Sequence, residues 1–217
     1  MTFNSSNYQQ ILENISKYGS KNVKMVAVSK NHSVESVKTA INSGIRIFGE
    51  NRVQEAEKKF LDLKKKFQDL ELHLTGPLQT NKVKSAIKIF DLFQTLDREK
   101  LAKEFSKHKE HIKNKIFFIQ VNIGSEKTKS GILPETADDF IIYCRQDLQL
   151  NIAGLMCIPP IDKNPTFYFK NLSDIAKRNK IHHLSMGMSN DYVDGLKCGA
   201  SYIRVGTLLF GNRNYEN

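Results

Sequence analysis

The sequence predicts an α/β chain folded as a single (β/α)8 barrel of the TIM type, with an extra helix before its first strand. Three observations lead there. A short apolar, β-branched run followed by a longer stretch of helical period recurs eight times along the chain. The first such run ends in Ser29-Lys30 and lacks the Gly-x-Gly-x-x-Gly turn that an open, doubly wound sheet would prefer there. The residues best suited to chemistry stand just after strand-like runs, where a barrel builds its working face. Eight units in 217 residues lie at the lower edge of the size range for this fold, and residues 1–217 are expected to form one domain.

The elements follow in order. A helix is expected near residues 8–18. Strand-like runs then fall at 23–29, 45–48, 72–75, 92–96, 116–122, 152–157, 183–186 and 202–205. Helical patterns separate them at 34–43, 52–67, 82–88, 98–108, 134–147, 165–179 and 191–198. Ser33 before Val34, and the Asp97-Arg98-Glu99-Lys100 segment, read as helix starts with caps. No composition break or low-complexity linker marks a domain boundary.

With 40% hydrophobic and 26% charged residues the composition is that of an ordinary globular chain. At this length about 70–75% of the unfolded surface can be buried, so no covalent staples are needed. Three cysteines without a Cys-x-x-Cys spacing argue against a disulfide framework or a zinc knuckle and for a reduced, cytoplasmic protein. No run of 18 apolar residues exists to span a membrane, and the first residues have neither the basic nor the apolar part of an export signal. The net charge of +10 raises a nucleic-acid-binding module as one reading. The excess is nearly all lysine, 26 Lys against 7 Arg, beside 18 Asn and 20 Ile, three residue types with A/T-rich codons. Scattered lysines on helical patterns read as solvated surface; a nucleic-acid footprint favours clustered arginine and exposed aromatics.

The chemistry gathers at three places. Lys30 ends the first run, and period-2 alternation puts it on the face of Val26 and Val28. Desolvation there would lower its pKa and expose a nucleophilic amine, the alternative being a surface lysine just past a strand. In the last run, Ile203 and Val205 share one face and Tyr202 and Arg204 the other. Apolar residues meeting the outer helices leave Arg204 pointing inward, where a guanidinium needs acceptors. Gly206 and Thr207 then open a short apolar segment whose first N–H groups suit a phosphate. Ser185-Met186-Gly187-Met188-Ser189, after strand seven, adds a glycine and hydroxyls. An aldehyde for the lysine, a phosphate for the last loops and a ring nitrogen for the arginine describe pyridoxal 5′-phosphate (PLP).

Eight blocks carry a resemblance to a known family. They are Val26-Ala27-Val28-Ser29-Lys30, Phe48-Gly49-Glu50-Asn51-Arg52-Val53-Gln54-Glu55 and His73-Leu74-Thr75-Gly76-Pro77-Leu78-Gln79-Thr80-Asn81-Lys82. Val121-Asn122-Ile123-Gly124, Lys129-Ser130-Gly131 and Gly154-Leu155-Met156-Cys157-Ile158-Pro159-Pro160 follow. Leu184-Ser185-Met186-Gly187-Met188-Ser189 and Ile203-Arg204-Val205-Gly206-Thr207, with Phe210-Gly211, complete them. In this order they resemble the YggS/PROSC family of pyridoxal phosphate homeostasis proteins, related in fold to the N-terminal barrel of alanine racemase. The resemblance runs from about residue 8 to 213. It implies that Lys30 holds PLP as an internal aldimine, that Met188, Ser189, Gly206 and Thr207 bind its phosphate, that Arg204 faces the pyridine nitrogen and that Asn51 lines the ring. The chain departs from the family pattern at Leu72, Asn31-His32-Ser33 and Gly211-Asn212-Arg213, positions at the pocket rim.

An arginine opposite the ring nitrogen favours an unprotonated pyridine, a poorer electron sink. Alanine racemase pairs such a ring with a tyrosine from a second domain, and the chain ends a few residues after its eighth unit. The expectation is a PLP-binding protein of B6 vitamer homeostasis with little or no turnover, passing PLP to apo-enzymes that depend on it. The other readings are an amino-acid racemase or a Schiff-base lyase. Tyr202 as a substitute acid is set against simple packing. His182 and His183 alternate across a strand and complete no metal site. Cys157 reads as a buried small residue, Lys129 as a solvated loop lysine and Lys64-Lys65-Lys66 as a helix end complementing the macrodipole. A monomer is expected.

Overall fold

The computed structural model describes residues 3–161 and 163–211. Eight parallel strands close into a barrel in chain order: β1 (Lys24–Val28), β2 (Ile47–Glu50), β3 (Glu71–Leu74), β4 (Leu92–Leu96), β5 (Ile116–Val121), β6 (Ile152–Cys157), β7 (His183–Met188) and β8 (Tyr202–Val205). Closure is made by β1 against β8, with Val26 opposite Arg204. The helices are α1 (Ser5–Tyr18), α2 (Val34–Asn42), α3 (Val53–Lys66), α4 (Val83–Ile89), α5 (Glu99–Ser106), α6 (Lys109–Ile112), α7 (Ala137–Ile142), α8 (Pro165–Arg178), α9 (Tyr192–Lys197) and α10 (Thr207–Phe210). No helix among the described residues is long and apolar enough to cross a membrane.

The helices form where sequence period and caps agree. In α3, Val53, Ala56, Phe60 and Leu63 are buried at helical spacing, and the opposite face is solvated. The Ser33 side chain accepts from the Ser36 N–H at 3.2 Å and starts α2, as expected. Asn164 caps α8 with Pro165 in its first turn.

Alternation along the strands builds two cores. Outward side chains meet the helices; there Phe93 stacks on Phe117 at 5.4 Å and both meet the edge of Phe105 at 4.8 Å. Inside the barrel, Val26, Leu92, Phe118, Met156 and Tyr202 pack into a plug. Gly154 makes room for it, since a Cβ there would stand 2.6 Å from the Phe118 ring. Beyond the plug, the C-terminal ends of the strands and their loops surround an open cleft.

Several expectations need correction. Asp97 does not cap α5: its carboxylate is taken by Arg98 Nη1, and Arg98 holds the cap position with no side-chain bond to the helix's first N–H groups. The helix expected at 134–147 is three pieces. Pro134 opens a 3-10 turn, α7 follows, and the last turn widens so that Tyr143 C=O accepts from Leu148 N–H. The basic residues are also not all surface. Lys59 is buried against Glu50, and Lys64 is tied to Asp91 and to the Ile89 carbonyl. Lys129 is half-buried, pairing with Glu126 at 2.6 Å and donating to the Pro159 carbonyl at 3.2 Å. Among the family departures, Leu72 lies in the outer core and Asn31 adopts φ +61°, while Asn212 and Arg213 lie outside the described residues.

Candidate functional site

The cleft, about 1120 Å³ in volume, lies at the C-terminal ends of the strands. Lys30, Asn51, Met188, Ser189, Arg204, Gly206 and Thr207 all line it, although up to 177 positions separate them (207 − 30). Lys129 and Lys163 also line it, as do Asp191 and Asp194. Tyr202 does not. It lies in the plug among Phe118, His73 and His183 with Lys24 Nζ over its ring, which is the packing role.

Lys30 is half-buried two residues past β1, in a turn whose backbone is gripped on both sides. Ser29 Oγ donates to Glu50 Oε1 at 2.7 Å, and Lys59 Nζ donates to the Ser29 carbonyl at 2.7 Å and to Glu50 Oε1 at 2.9 Å. On the other side, the Asn31 N–H donates to Glu55 Oε1, which pairs with Lys59 at 2.6 Å. Three charged groups from β2 and α3 thus fix the peptide units flanking Lys30. Glu50 Oε2 has no hydrogen-bond partner among the described residues, and burial pushes its carboxyl above the ordinary range against the opposing pull of Lys59. This clamp was not anticipated from sequence. The available signal was Lys59 itself, on the buried stripe of α3 between Ala56 and Leu63.

Arg204 points inward, as alternation requires, and is buried. Nη1 donates to Ser185 Oγ at 2.7 Å and Nη2 to the Cys157 carbonyl at 2.9 Å. Those bonds use two of the five N–H groups of a guanidinium, so donors remain for a ligand in the cleft. Burial pushes the Cys157 thiol up to about 12, so it stays protonated beside the arginine.

The loops after β7 and β8 line the same cleft as Lys30, the second of them beside the end of β1. Gly187 adopts φ +91°, and a Cβ there would meet Tyr192 Cα at 2.8 Å, so the turn into α9 requires glycine. The Met188 N–H, expected to meet a phosphate, already donates to Asp191 Oδ1 at 2.6 Å. Burial raises the Asp191 carboxyl above its ordinary range. Thr207 opens α10, so its N–H and that of Leu208 have no acceptor within the helix. On the far side, Thr75 Oγ1 donates to Asn51 Oδ1 at 3.0 Å and holds that side chain at the wall. Among the described residues, no group of three His, Cys, Asp or Glu side chains is placed to hold a metal.

The arrangement combines a primary amine on a braced turn, a fixed guanidinium and hydroxyl-bearing loops around one cavity. Comparison with known proteins bears on the family and the fold. The family model described as alanine racemase, N-terminal domain, matches residues 4–214. The pyridoxal phosphate homeostasis protein of Aquifex aeolicus is 38% identical, the alignment covering 95% of this chain and 96% of that one. That of Pasteurella multocida is 37% identical, with 97% of each covered. The solved structure of PipY from Synechococcus elongatus PCC7942 with PLP bound superposes with a TM-score of 0.80 at 30% identity, covering 93% of this chain and 99% of that one. An alanine racemase from Clostridium difficile shares the fold, with a TM-score of 0.71 at 17% identity, and covers 99% of this chain but only 59% of its own.

Proposed function

This chain belongs to the family of pyridoxal phosphate homeostasis proteins, built on the alanine racemase N-terminal barrel, and from that premise we propose that it binds PLP and holds it for intracellular PLP homeostasis. The observation that carries the reading is the convergence of Lys30, Arg204 and Thr207 on one cleft. The donor set fits the group. Lys30 supplies an amine for the aldehyde, Ser189 and Thr207 supply hydroxyls for the phosphate beside Met188 and Gly206, and Arg204 retains N–H donors for the ring nitrogen. Asn51 lines the ring. When bound, PLP contributes an electron-withdrawing ring conjugated to the linkage with the amine.

The residues here favour holding over turnover. An arginine keeps its proton, so Arg204 donates to the ring nitrogen and does not protonate it. Tyr202 is in the plug and supplies no acid to the cleft. The chain acts on this reading as a single-domain, monomeric cytoplasmic reservoir that releases PLP to apo-enzymes, without nucleic-acid or membrane partners. Many surface lysines are neutralised locally, as in Lys103–Glu99, Lys107–Glu104 and Lys113–Glu110, which argues against a polyanion footprint.

The test is the visible spectrum of the purified protein with added PLP. A yellow band that borohydride bleaches, with the label on Lys30, is the expected result, and Lys30→Ala lacks it. A wild-type protein that develops no band overturns the reading. Exchange of amino-acid α-protons for deuterium at an enzymatic rate would replace the reservoir with a racemase.

A further inference from the structure

Behind Arg204 a file of buried polar groups crosses the barrel interior to its opposite mouth. Arg204 Nη1 meets Ser185 Oγ at 2.7 Å, Ser185 Oγ meets Gln94 Oε1 at 2.6 Å, and Gln94 Nε2 meets His73 Nδ1 at 2.9 Å. His73 Nε2 meets Glu71 Oε1 at 2.7 Å, and Lys24 Nζ reaches Glu71 Oε2 at 3.3 Å. Ser185, Gln94 and His73 have no exposed surface. Glu71 and Lys24 open β3 and β1 at the N-terminal mouth, with side chains 28% and 46% exposed. The apolar plug packs around the file, and Tyr202 and His73 rings lie 5.7 Å apart.

Donor chemistry gives the file one direction. A guanidinium only donates, so Ser185 Oγ accepts from Arg204 and has its single proton left for Gln94 Oε1. The Gln94 amide therefore presents its NH2 to His73 Nδ1, which must carry a lone pair. The His73 proton is then on Nε2, donated to Glu71. Turning the amide around would leave Ser185 facing donors on both sides and the Gln94 oxygen facing an unprotonated nitrogen. Each such mismatch, buried here, is disfavoured because no water replaces the lost bond. The cation at one end and the carboxylate at the other favour the same orientation. The His73 bond also holds the Glu71 carboxyl down at about 2, so that end stays ionised.

We propose that Gln94, His73 and Glu71 are positioning residues for Arg204, forming a one-way hydrogen-bonded wire that fixes how the guanidinium meets a ligand in the cleft and couples that site to the opposite mouth of the barrel. The wire deepens the PLP reading, since its ligand-side effect rests on Arg204 facing the ring nitrogen. Its internal polarity does not depend on any ligand.

The experiment therefore has two arms. Nitrogen-15 NMR of His73 in the ligand-free protein should show the Nε2–H tautomer. In Arg204→Leu, three bonds away, Glu71 still holds the Nε2 proton, so the nitrogen-15 shift of the accepting Nδ1 should move without a change of tautomer; a wild-type Nδ1–H tautomer, or an Nδ1 shift indifferent to Arg204→Leu, overturns the wire. In the second arm Glu71→Gln and Gln94→Leu are titrated with PLP. Gln94→Leu should bind roughly tenfold more weakly with a displaced visible band. Glu71→Gln, at the solvent-open mouth, should move the band in the same direction by less. Wild-type affinity and band position in both overturn the positioning role, and Glu71→Gln decides alone where Gln94→Leu does not fold. Failure of the wild-type protein to take up PLP removes the cofactor reading and leaves the tautomer result standing.

Discussion

Replacing Lys59 by methionine tests the clamp around Lys30 most directly. The change keeps an unbranched side chain, one atom shorter, and removes the charged Nζ from a residue 8% exposed. Three contacts go: to the Ser29 carbonyl at 2.7 Å, to Glu50 Oε1 at 2.9 Å and to Glu55 Oε1 at 2.6 Å. Glu50 is left fully buried; among the described residues the Ser29 hydroxyl is its remaining hydrogen-bond partner and one oxygen is already unpaired. Breaking one side of a buried pair costs about 3–5 kcal/mol. For a chain of this size that lowers Tm by roughly 6–20 °C.

The pH dependence separates a charge effect from a packing effect. Burial raises the Glu50 carboxyl above its ordinary value of 4.5, and Lys59 restrains the rise. A carboxyl raised on folding contributes stability that is full below pH 4.5 and lost as pH rises through the folded pKa. Lys59→Met lifts that folded pKa further, so the variant loses stability over a wider span than the wild type. The two proteins should differ most near pH 8 and least at pH 4.5 and below, where the raised carboxyl of Glu50 is more protonated than ionised in both native states. Thermal and urea melts at the two pH values measure this. A difference that stays constant, or one below about 1 kcal/mol at pH 8, refutes the charged clamp. PLP uptake should also slow, because the Ser29 peptide next to Lys30 is no longer held.

Three other outcomes are expected. Asp191→Asn keeps an oxygen for the Met188 N–H but removes a negative charge from the proposed phosphate loop, so PLP should bind several-fold more tightly, about 1 kcal/mol, while pyridoxal without its phosphate gains nothing; equilibrium titration with both ligands checks this. Gly154→Ala should destabilise by about 1–3 kcal/mol, because its methyl would meet the Phe118 ring and compress the plug; a denaturant melt with unchanged midpoint would contradict that. Native thiol labelling at pH 8 should modify half-exposed Cys198 first, while Cys144 and Cys157, buried with thiols pushed up to about 12, should react only on unfolding.

What the sequence made legible follows from periodicity. Lys30 and Arg204 could be placed on one face of the barrel because strand alternation is a local rule, and their strands are neighbours. The blocks after β7 and β8 were legible for a similar reason, since loops beyond barrel strands share one end of the fold. The clamp and the wire obey no local rule. His73 and Gln94 each interrupt an apolar strand at an inward position, so alternation marks them as buried polar residues. Their pairing depends on the stagger of β3, β4 and β7, and that appears only when the barrel closes. Lys59 was hidden differently. Beside Lys58 it resembles a solvated pair, and only the apolar positions at 56, 60 and 63 place it on the buried side of α3. A lysine there is stable only because β2 carries Glu50 to the same depth, twenty residues past Lys30 in the chain and in contact with the Ser29 hydroxyl before it. The site thus has a part that single elements specify and a supporting part that exists only through contacts between elements. It is the supporting part that decides how firmly Lys30 and Arg204 are held.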